Sequence, residues 1–346
     1  MFFSPSIHRL SASLCISCFC GTVAFSQHAK SIAPVPSDPL ELVTTPPETV
    51  ETSQKSATFA LLLGSTPHVN AFGPYVLTVT FNVLGSGQYT GPGDMQETSD
   101  SNGARRWTGK LGAFTITRIL TTGAFDSGWQ GPIPMRIHTS RQTMLAPVKN
   151  GLPPFMRLAQ VGYQGAPLTC ILSSTEKTTA PARDWSEAEY CIDASSGMLR
   201  IYSERPGIYV LYNYDNSATF HGRLMPSAIT VYEAGKPVMQ ETITVKDATS
   251  LDESLFQPTS EMITTGVMMG PTVDMVQRNP ATASLSAVTP VVVHATLSAD
   301  GQVVEAEALQ NSSLAQAAVQ LVRATQYGPA YNKGTPVQRE AYVTVE

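Results

Sequence analysis

Charged side chains are scarce in this sequence. Asp, Glu, Lys and Arg together make up 14% of the 346 residues, and the formal net charge is only −5. Proteins that bind nucleic acid or an anionic membrane surface through charge carry a clustered basic excess. The basic and aromatic segment Arg105-Arg106-Trp107 is too small to form such a surface. We therefore do not expect nucleic acid or an anionic membrane surface as a partner.

The sequence also lacks the motifs of common enzyme classes. It has no H-E-x-x-H zinc motif, no G-x-S-x-G nucleophile elbow, no Walker loop and no dinucleotide-binding glycine pattern. Isolated carboxylates near turns are usually solvated, although four of them could in principle pair as acid and base: Glu187, Glu189, Asp193 and Asp215. We expect no catalytic residue, no cofactor and no metal site. The alternative is an extracytoplasmic hydrolase with a site that these motifs do not describe.

Cysteine is scarce as well, with five residues in the chain. Cys15, Cys18 and Cys20 lie in the N-terminal segment, so Cys170 and Cys191 are the pair in the rest of the sequence. Two cysteines at this distance with no matching histidine are far from a zinc pattern. An even pair in an exported protein instead predicts a disulfide that closes a loop of about 20 residues.

The apolar run Leu10–Phe25 is shorter than the ~20 residues that span a bilayer. It follows His8-Arg9 and ends at Ala24-Phe25-Ser26, a small-x-small pattern typical of signal cleavage. Residues 1–26 are therefore predicted to be a signal peptide. Cleavage near Ser26 would leave a periplasmic or secreted protein. The alternative is an uncleaved signal that anchors the chain in the inner membrane.

Proline and glycine organise the middle of the chain. Residues 27–56 contain closely spaced prolines and are predicted to be an extended linker. Residues 57–262 are predicted to form a β-rich domain, because runs such as Tyr75–Phe81 alternate and turn signals recur between them. Ile133–Leu145 is predicted to be a helix with Pro134 in its first turn. We expect a curved antiparallel sheet or half-barrel with this helix on its concave side, followed by a connector at 263–288.

Two short elements of this β-rich domain resemble the LolA/LolB-like periplasmic lipoprotein carriers. One is the Asp-x-x-x-Gly-x-Leu turn at Asp193–Leu199, and the other is the Leu-Asp-x-x-x-Phe-x-Pro element at Leu251–Pro258. The resemblance implies an apolar concave face that could hold an acyl chain or a similar ligand. It makes a lipid or lipoprotein carrier an alternative function, whereas a filled core would leave no such cavity.

Residues 289–346 show the clearest pattern, a β-β-α-β unit. Asp300-Gly301 separates two extended runs, Val291–Leu297 and Gln302–Leu309, and predicts a hairpin. Ser313 and Gln316 fit a capping box at the start of a helix. That helix carries one apolar stripe, formed by Leu314, Ala317, Ala318, Leu321 and Val322. Gly328-Pro329 is predicted to end it, and Val337–Glu346 is predicted to be the last strand, with His294 a surface or packing residue.

An ordered set of motifs in this unit closely resembles the C-terminal domain of TonB-family proteins. The set comprises Asp300–Val303, Ser312–Leu314 with Ala317-Ala318, Tyr327–Pro329 and Asn332–Val337. Two positions depart from the family, Gln326 where Trp or Arg is common and Glu346 where many members end on an aromatic residue. The resemblance implies a binding module rather than a catalytic one.

The last strand is predicted to be the partner site. If it lies at an edge of its sheet, its unpaired backbone groups can accept an extended peptide. Val337, Arg339, Tyr342 and Thr344 are the candidate contact residues. TonB-like domains imply an outer-membrane receptor segment as the partner; a central strand or a homodimer would leave no free edge. The expected fold class is α+β, mostly β, and the expected function is a periplasmic interaction or transport-accessory protein.

Overall fold

A computed structural model describes residues 46–67, 73–145, 147–148, 151–248, 250–264, 274–277 and 290–346. The predicted signal peptide, most of the predicted linker and most of the predicted connector lie outside these residues. Three α-helices are present in the described part of the chain: α1 Lys55–Ser65, α2 Met135–Leu145 and α3 Ala315–Ala324. A short 3-10 helix covers Glu253–Phe256.

The strands are numbered along the chain. The first eleven are β1 Glu48–Thr49, β2 Tyr75–Val83, β3 Gly91–Ser99, β4 Arg105–Leu111, β5 Phe114–Leu120, β6 Ala124–Ser127, β7 Phe155–Tyr163, β8 Ala166–Ser174, β9 Ala188–Asp193, β10 Leu199–Arg205 and β11 Ile208–Asn213. The others are β12 Thr219–Phe220, β13 Arg223–Leu224, β14 Ala228–Glu233, β15 Lys236–Asp247, β16 Ile263–Thr264, β17 Asp274–Gln277, β18 Val291–Leu297, β19 Val303–Ala308, β20 Ala330–Asn332, β21 Thr335–Val337 and β22 Arg339–Val345.

Fourteen of these strands form one large antiparallel sheet that is not closed into a barrel. Its order is β1-β7-β8-β9-β10-β11-β14-β15-β2-β3-β4-β5-β6-β16. Most neighbours are also neighbours in sequence, as expected for a meander joined by short turns. The step from β15 back to β2 is the main exception and brings two distant parts of the chain together over nine paired residues. The predicted mostly-β fold is confirmed.

The alternating sequence pattern places one apolar face of the large sheet in the main core. In β2, Tyr75, Leu77 and Val79 are fully buried, and the residues between them are partly exposed. Helix α2 lies on this face, where its Ile137 and Met144 join the same cluster. The helix was predicted from Ile133; it begins two residues later, and Pro134 accepts a bond from the His138 amide within its first turn.

Helix α1 and strand β1 lie where the sequence predicts a linker or strands. Glu48-Thr49 pairs with Leu158 and Arg157 of β7, so the predicted linker 27–56 includes ordered strand at its end. Residues 55–65 form a helix in which five of the eleven residues are Ala or Leu, which have high helix propensity. Leu62 is fully buried, whereas Leu61 and Leu63 are exposed.

A second, four-stranded sheet forms the C-terminal unit, in the order β17-β22-β18-β19. β18 pairs antiparallel with both β19 and β22, and α3 packs on one face through Ala318 and Val322. The predicted β-β-α-β unit is therefore confirmed. The described residues of this unit and of the large sheet belong to one compact body.

Candidate partner-binding site

Three details of the C-terminal unit differ from the sequence prediction. The capping box is wrong: α3 has no side-chain cap, its N-cap residue is Leu314, and Ser312 Oγ instead accepts the Leu314 amide. The helix ends at Ala324, four residues before Gly328, because the chain leaves the helical conformation at Thr325. Val337 does not belong to the last strand; it ends β21, which forms a separate hairpin with β20.

The last strand, β22, is paired on both sides. β18 lies on one side over the full strand, and β17 pairs with the other side in parallel, from Asp274 opposite Tyr342 to Gln277 opposite Val345. The prediction of an unoccupied edge is therefore wrong over Tyr342–Val345, where residues of the same chain already fill the edge. In the described part of the chain, no strand pairs with Arg339–Ala341 on that side.

The alternation of strand backbones shows which groups of β22 face this outer side. The Leu309 amide bonds to Val292 O, so the backbone groups of Val292 and His294 point to β19. The odd-numbered residues of β18 therefore point to β22, and Val293 lies opposite Val343. It follows that Glu340, Tyr342 and Thr344 direct their backbone N–H and C=O groups outward, toward β17 or an added strand.

The side chains of the four predicted contact residues do not form one exposed surface. Tyr342 and Thr344 are only 7% exposed, and Tyr342 faces the large sheet. Arg339 donates to Gly328 O, and Val337 packs against the main core. The structure thus places the backbone groups of Tyr342 and Thr344 on the same outer side of β22. The side chains of the four predicted residues instead make contacts within the protein.

A buried charge network joins the C-terminal unit to the large sheet. Arg136 of α2 forms a two-point ion pair with Glu233 of β14, at 2.6 and 2.9 Å. Glu233 also accepts hydrogen bonds from His294 Nδ1, at 2.9 Å, and from the Tyr342 hydroxyl. On its other side, His294 Nε2 lies 3.5 Å from Glu340. One carboxylate of the large sheet therefore contacts one helix and two strands of the smaller sheet.

The network fixes the charge states of its members. Burial alone would raise the pKa of Glu233, but Arg136 and His294 outweigh it and hold that pKa well below its usual range. Burial alone would lower the pKa of His294, but Glu233 and Glu340 raise it to about 9. Glu233 is therefore ionised and His294 is protonated at neutral pH, so the network contains two positive and two negative groups when Glu340, whose pKa is also lowered, is counted.

Apolar contacts surround these charges at the interface. Met135, Ile208, Val292, Leu309 and Tyr342 form one buried cluster. Gly207, in the turn between β10 and β11, has a φ of +86°, and a Cβ there would lie 2.3 Å from Leu309 O. Gln310 extends the contact, since it accepts the Val292 amide and donates to Pro206 O. This close packing holds the two sheets in one fixed arrangement.

The sequence contains a signal for the buried carboxylates that the predictions did not use. Glu233 is in phase with the buried Ile229 and Val231 in β14, and Glu241 is in phase with Met239 and Ile243 in β15. A carboxylate at an inward position of a strand needs a partner, because an isolated buried charge is costly. Glu241 accepts a bond from Ser140 of α2, and burial raises its pKa to about 8.

The four carboxylates considered as acid–base candidates do not lie together as a solvated group. Glu187 and Glu189 are buried, contrary to the expected solvated positions, because each pairs with a guanidinium: Arg157 at 2.6 Å and Arg183 at 3.2 Å. Asp193 accepts bonds from Ser195 in a turn, and Asp215 is exposed.

The predicted disulfide between Cys170 and Cys191 is confirmed. The two residues lie directly opposite each other on β8 and β9. Glu189 approaches the same sulfurs closely enough that the three side chains could share a metal ion if the thiols were free. Because both sulfurs are in the disulfide, they do not provide the thiolates that a metal needs.

The comparisons with known proteins agree with the C-terminal resemblance. Residues 284–346 match the family model "Gram-negative bacterial TonB protein C-terminal". This match confirms that the C-terminal unit is TonB-like, although it covers a minor part of the chain. A search of curated proteins finds no match. Within the described residues, no helix is both long and apolar enough to cross a membrane.

A search of solved structures finds distant likenesses that cover a little over half of the chain. A LolA superfamily protein from Nitrosomonas europaea has 11% identity and a TM-score of 0.35, and covers 57% of this chain and 96% of its own. A DUF1329 family protein from Desulfovibrio piger has 8% identity and a TM-score of 0.34, with 58% and 96% covered. Likenesses at this level carry no argument about a ligand or an activity.

Proposed function

We propose that this chain is an exported, non-enzymatic protein whose TonB-like unit captures an extended segment of a partner protein on the outer edge of β22. The observation that carries the proposal is the pairing of β17 with β22. It supports strand addition because the outward backbone groups of Tyr342 and Thr344 already accept a parallel strand. Main-chain hydrogen bonds provide the affinity in such complexes, and alternate side chains provide selectivity.

The internal packing supports a recognition role for the backbone of β22 rather than for its side chains. Tyr342 is held by Glu233, and Ala341, Val343 and Val345 lie in the core beneath α3. A partner segment would therefore meet a rigid strand whose edge is pre-organised, which lowers the entropic cost of binding. The buried disulfide supports an oxidising, extracytoplasmic compartment, and signal cleavage near Ser26 is part of the same proposal.

Photo-crosslinking in the producing cells tests partner capture. A photoreactive phenylalanine analogue at Glu346, next to the paired end of β22, should crosslink the partner, and the partner residues that react should map to one extended segment. Thr344→Pro removes an outward amide, whereas the matched control Thr344→Val keeps it. We expect the Val variant to retain the adduct and the Pro variant to lose it at least tenfold.

Equal adduct yields from two folded Thr344 variants would show that the partner does not use this edge. If the Pro variant does not fold, a competition measurement on the unsubstituted backbone replaces it. An excess of a synthetic peptide with residues 270–281 of this chain should then reduce the adduct, and an unchanged adduct would contradict strand addition at β22.

A further inference from the structure

The strand that occupies the outer edge of β22 comes from the connector of the same chain. β17 is four residues long, and it pairs with Tyr342–Val345. A β-strand edge offers one set of outward backbone groups, and β17 uses those of Tyr342 and Thr344. β17 and a partner segment therefore cannot pair with these residues at the same time.

The coverage of β22 by β17 is incomplete. β22 is seven residues long, from Arg339 to Val345, and β17 reaches only the last four. Glu340 directs its backbone groups to the same side, where no described strand pairs with it. A longer segment that runs parallel to β22 could begin to pair at Glu340 and then replace β17 residue by residue toward Val345.

We propose that β17 is a built-in competitor for the partner edge, and that the partner is an extended segment that starts at Glu340, runs parallel to β22 and displaces β17. This inference depends on the proposed function. β17 is a weak occupant on its own, because it is short and parallel pairing is slightly less stable per residue than antiparallel pairing. Its tether to β18 compensates, since linkage through a short connector gives an effective concentration in the millimolar range.

The competition has a direct effect on measured affinity. A partner segment that pairs only with the residues that β17 covers must compete with β17, which is tethered in the same chain. A segment that also pairs at Glu340 gains hydrogen bonds that β17 does not make. Selection for longer segments therefore follows from the length difference between β17 and β22. Removing β17 from the edge should raise the affinity for any added strand.

Peptide binding to the purified chain 27–346 tests the competitor. The probe is the fluorescein-labelled peptide of residues 270–281, and binding is followed by fluorescence anisotropy. The double variant Met275→Pro with Gln277→Pro prevents the tethered segment from pairing. We expect the double variant to bind the peptide at least about tenfold more tightly than the unmodified chain. Adding Thr344→Pro should abolish that binding, which would locate the peptide at β22.

Each other result would overturn the competitor role. Equal affinities would show that β17 does not compete, while partner capture would still stand on the crosslinking result. Absence of binding to either protein would show that the β17 sequence is not a ligand of this edge. Hydrogen exchange provides a readout without substitutions: the Thr344 amide should be protected in the unmodified chain and exposed in the double variant, and fast exchange in both would contradict the pairing.

Discussion

Tyr342, on the last strand of the chain, donates its hydroxyl hydrogen bond to Glu233, on a strand of the large sheet. The two residues are 109 positions apart in sequence, and both are buried. Because Glu233 also holds Arg136 and His294, this one carboxylate links α2, the large sheet and the TonB-like unit. The unit that we propose to bind a partner is therefore part of the packed body of the protein.

Removing the Glu233 carboxylate should strongly destabilise the protein. Glu233→Ala leaves the Arg136 and His294 charges buried without their main partner, and breaking a buried pair in this way costs about 3–5 kcal/mol. Tyr342→Phe removes one hydrogen bond and should cost about 1–2 kcal/mol. Urea unfolding measures both. The exposed Glu305→Ala is the control and should stay within about 0.5 kcal/mol of the unmodified protein; an equally small effect of Glu233→Ala would disprove the role of the network.

The protonated state of His294 should make stability depend on alkaline pH. Its pKa is raised from 6.5 to about 9 in the folded protein, so its contribution is complete below pH 6.5 and is lost as pH rises toward 9. The free energy of unfolding should fall over this window, and the fall between pH 8 and 9 should be smaller in His294→Gln. Parallel curves for the two proteins in that interval would show that His294 is not protonated in the fold.

Glu241 should add a second pH effect at lower pH. Its pKa is raised from 4.5 to about 8 by burial, so the unfolded chain loses the proton first and stability falls between about pH 4.5 and 8. Glu241→Gln keeps the hydrogen-bonding capacity without a titrating proton. Its unfolding free energy should be nearly flat from about pH 4.5 to 6.5 and should show only the decline from His294 above that, whereas the exposed control Glu253→Gln should keep the full decline. A decline as steep as in the unmodified protein would assign the effect to another group.

The sequence predicted the strands well where the signal is local. The predicted runs Val291–Leu297 and Tyr75–Phe81 both lie in strands, because period-2 alternation depends on neighbouring residues alone. The Cys170–Cys191 pairing also followed from counting residues. Helix α1 was missed because the proline-rich segment before it suggested a linker up to residue 56 and the residues that follow were assigned to a β-rich domain.

The candidate site was predicted less well, for a physical reason. Whether β22 is an edge or an interior strand depends on β17. β17 ends at Gln277 and β22 begins at Arg339, 62 residues later. The alternation within one strand carries no information about which strands pair with it. The ion network likewise depends on which strands of two sheets meet. The inward phase of Glu233 could have predicted burial, but not its pairing with His294 and Tyr342.

Loss of the disulfide should lower stability without changing the fold. The crosslink joins residues 21 positions apart, and the chain-entropy model gives roughly 3 kcal/mol for a loop of this length. Replacing both Cys170 and Cys191 by Ala should lower the unfolding free energy by about that amount. Thiol titration of the denatured, non-reduced mature protein should find no free thiol from this pair, and two reactive thiols would contradict the disulfide.

Adding a methyl group at Gly207 should weaken the packing between the two sheets. Gly207→Ala adds the strain of an L-residue at φ +86° and also places a Cβ 2.3 Å from Leu309 O. Gly197 provides a matched control, since it has a φ of +70° but a Cβ added there would have no neighbouring atom within 4 Å. Both Ala variants should share the backbone cost, and Gly207→Ala should lose about 1–3 kcal/mol more through overpacking. Urea unfolding measures the difference. Equal losses would show that the contact between Gly207 and Leu309 adds nothing to the docking of the C-terminal unit.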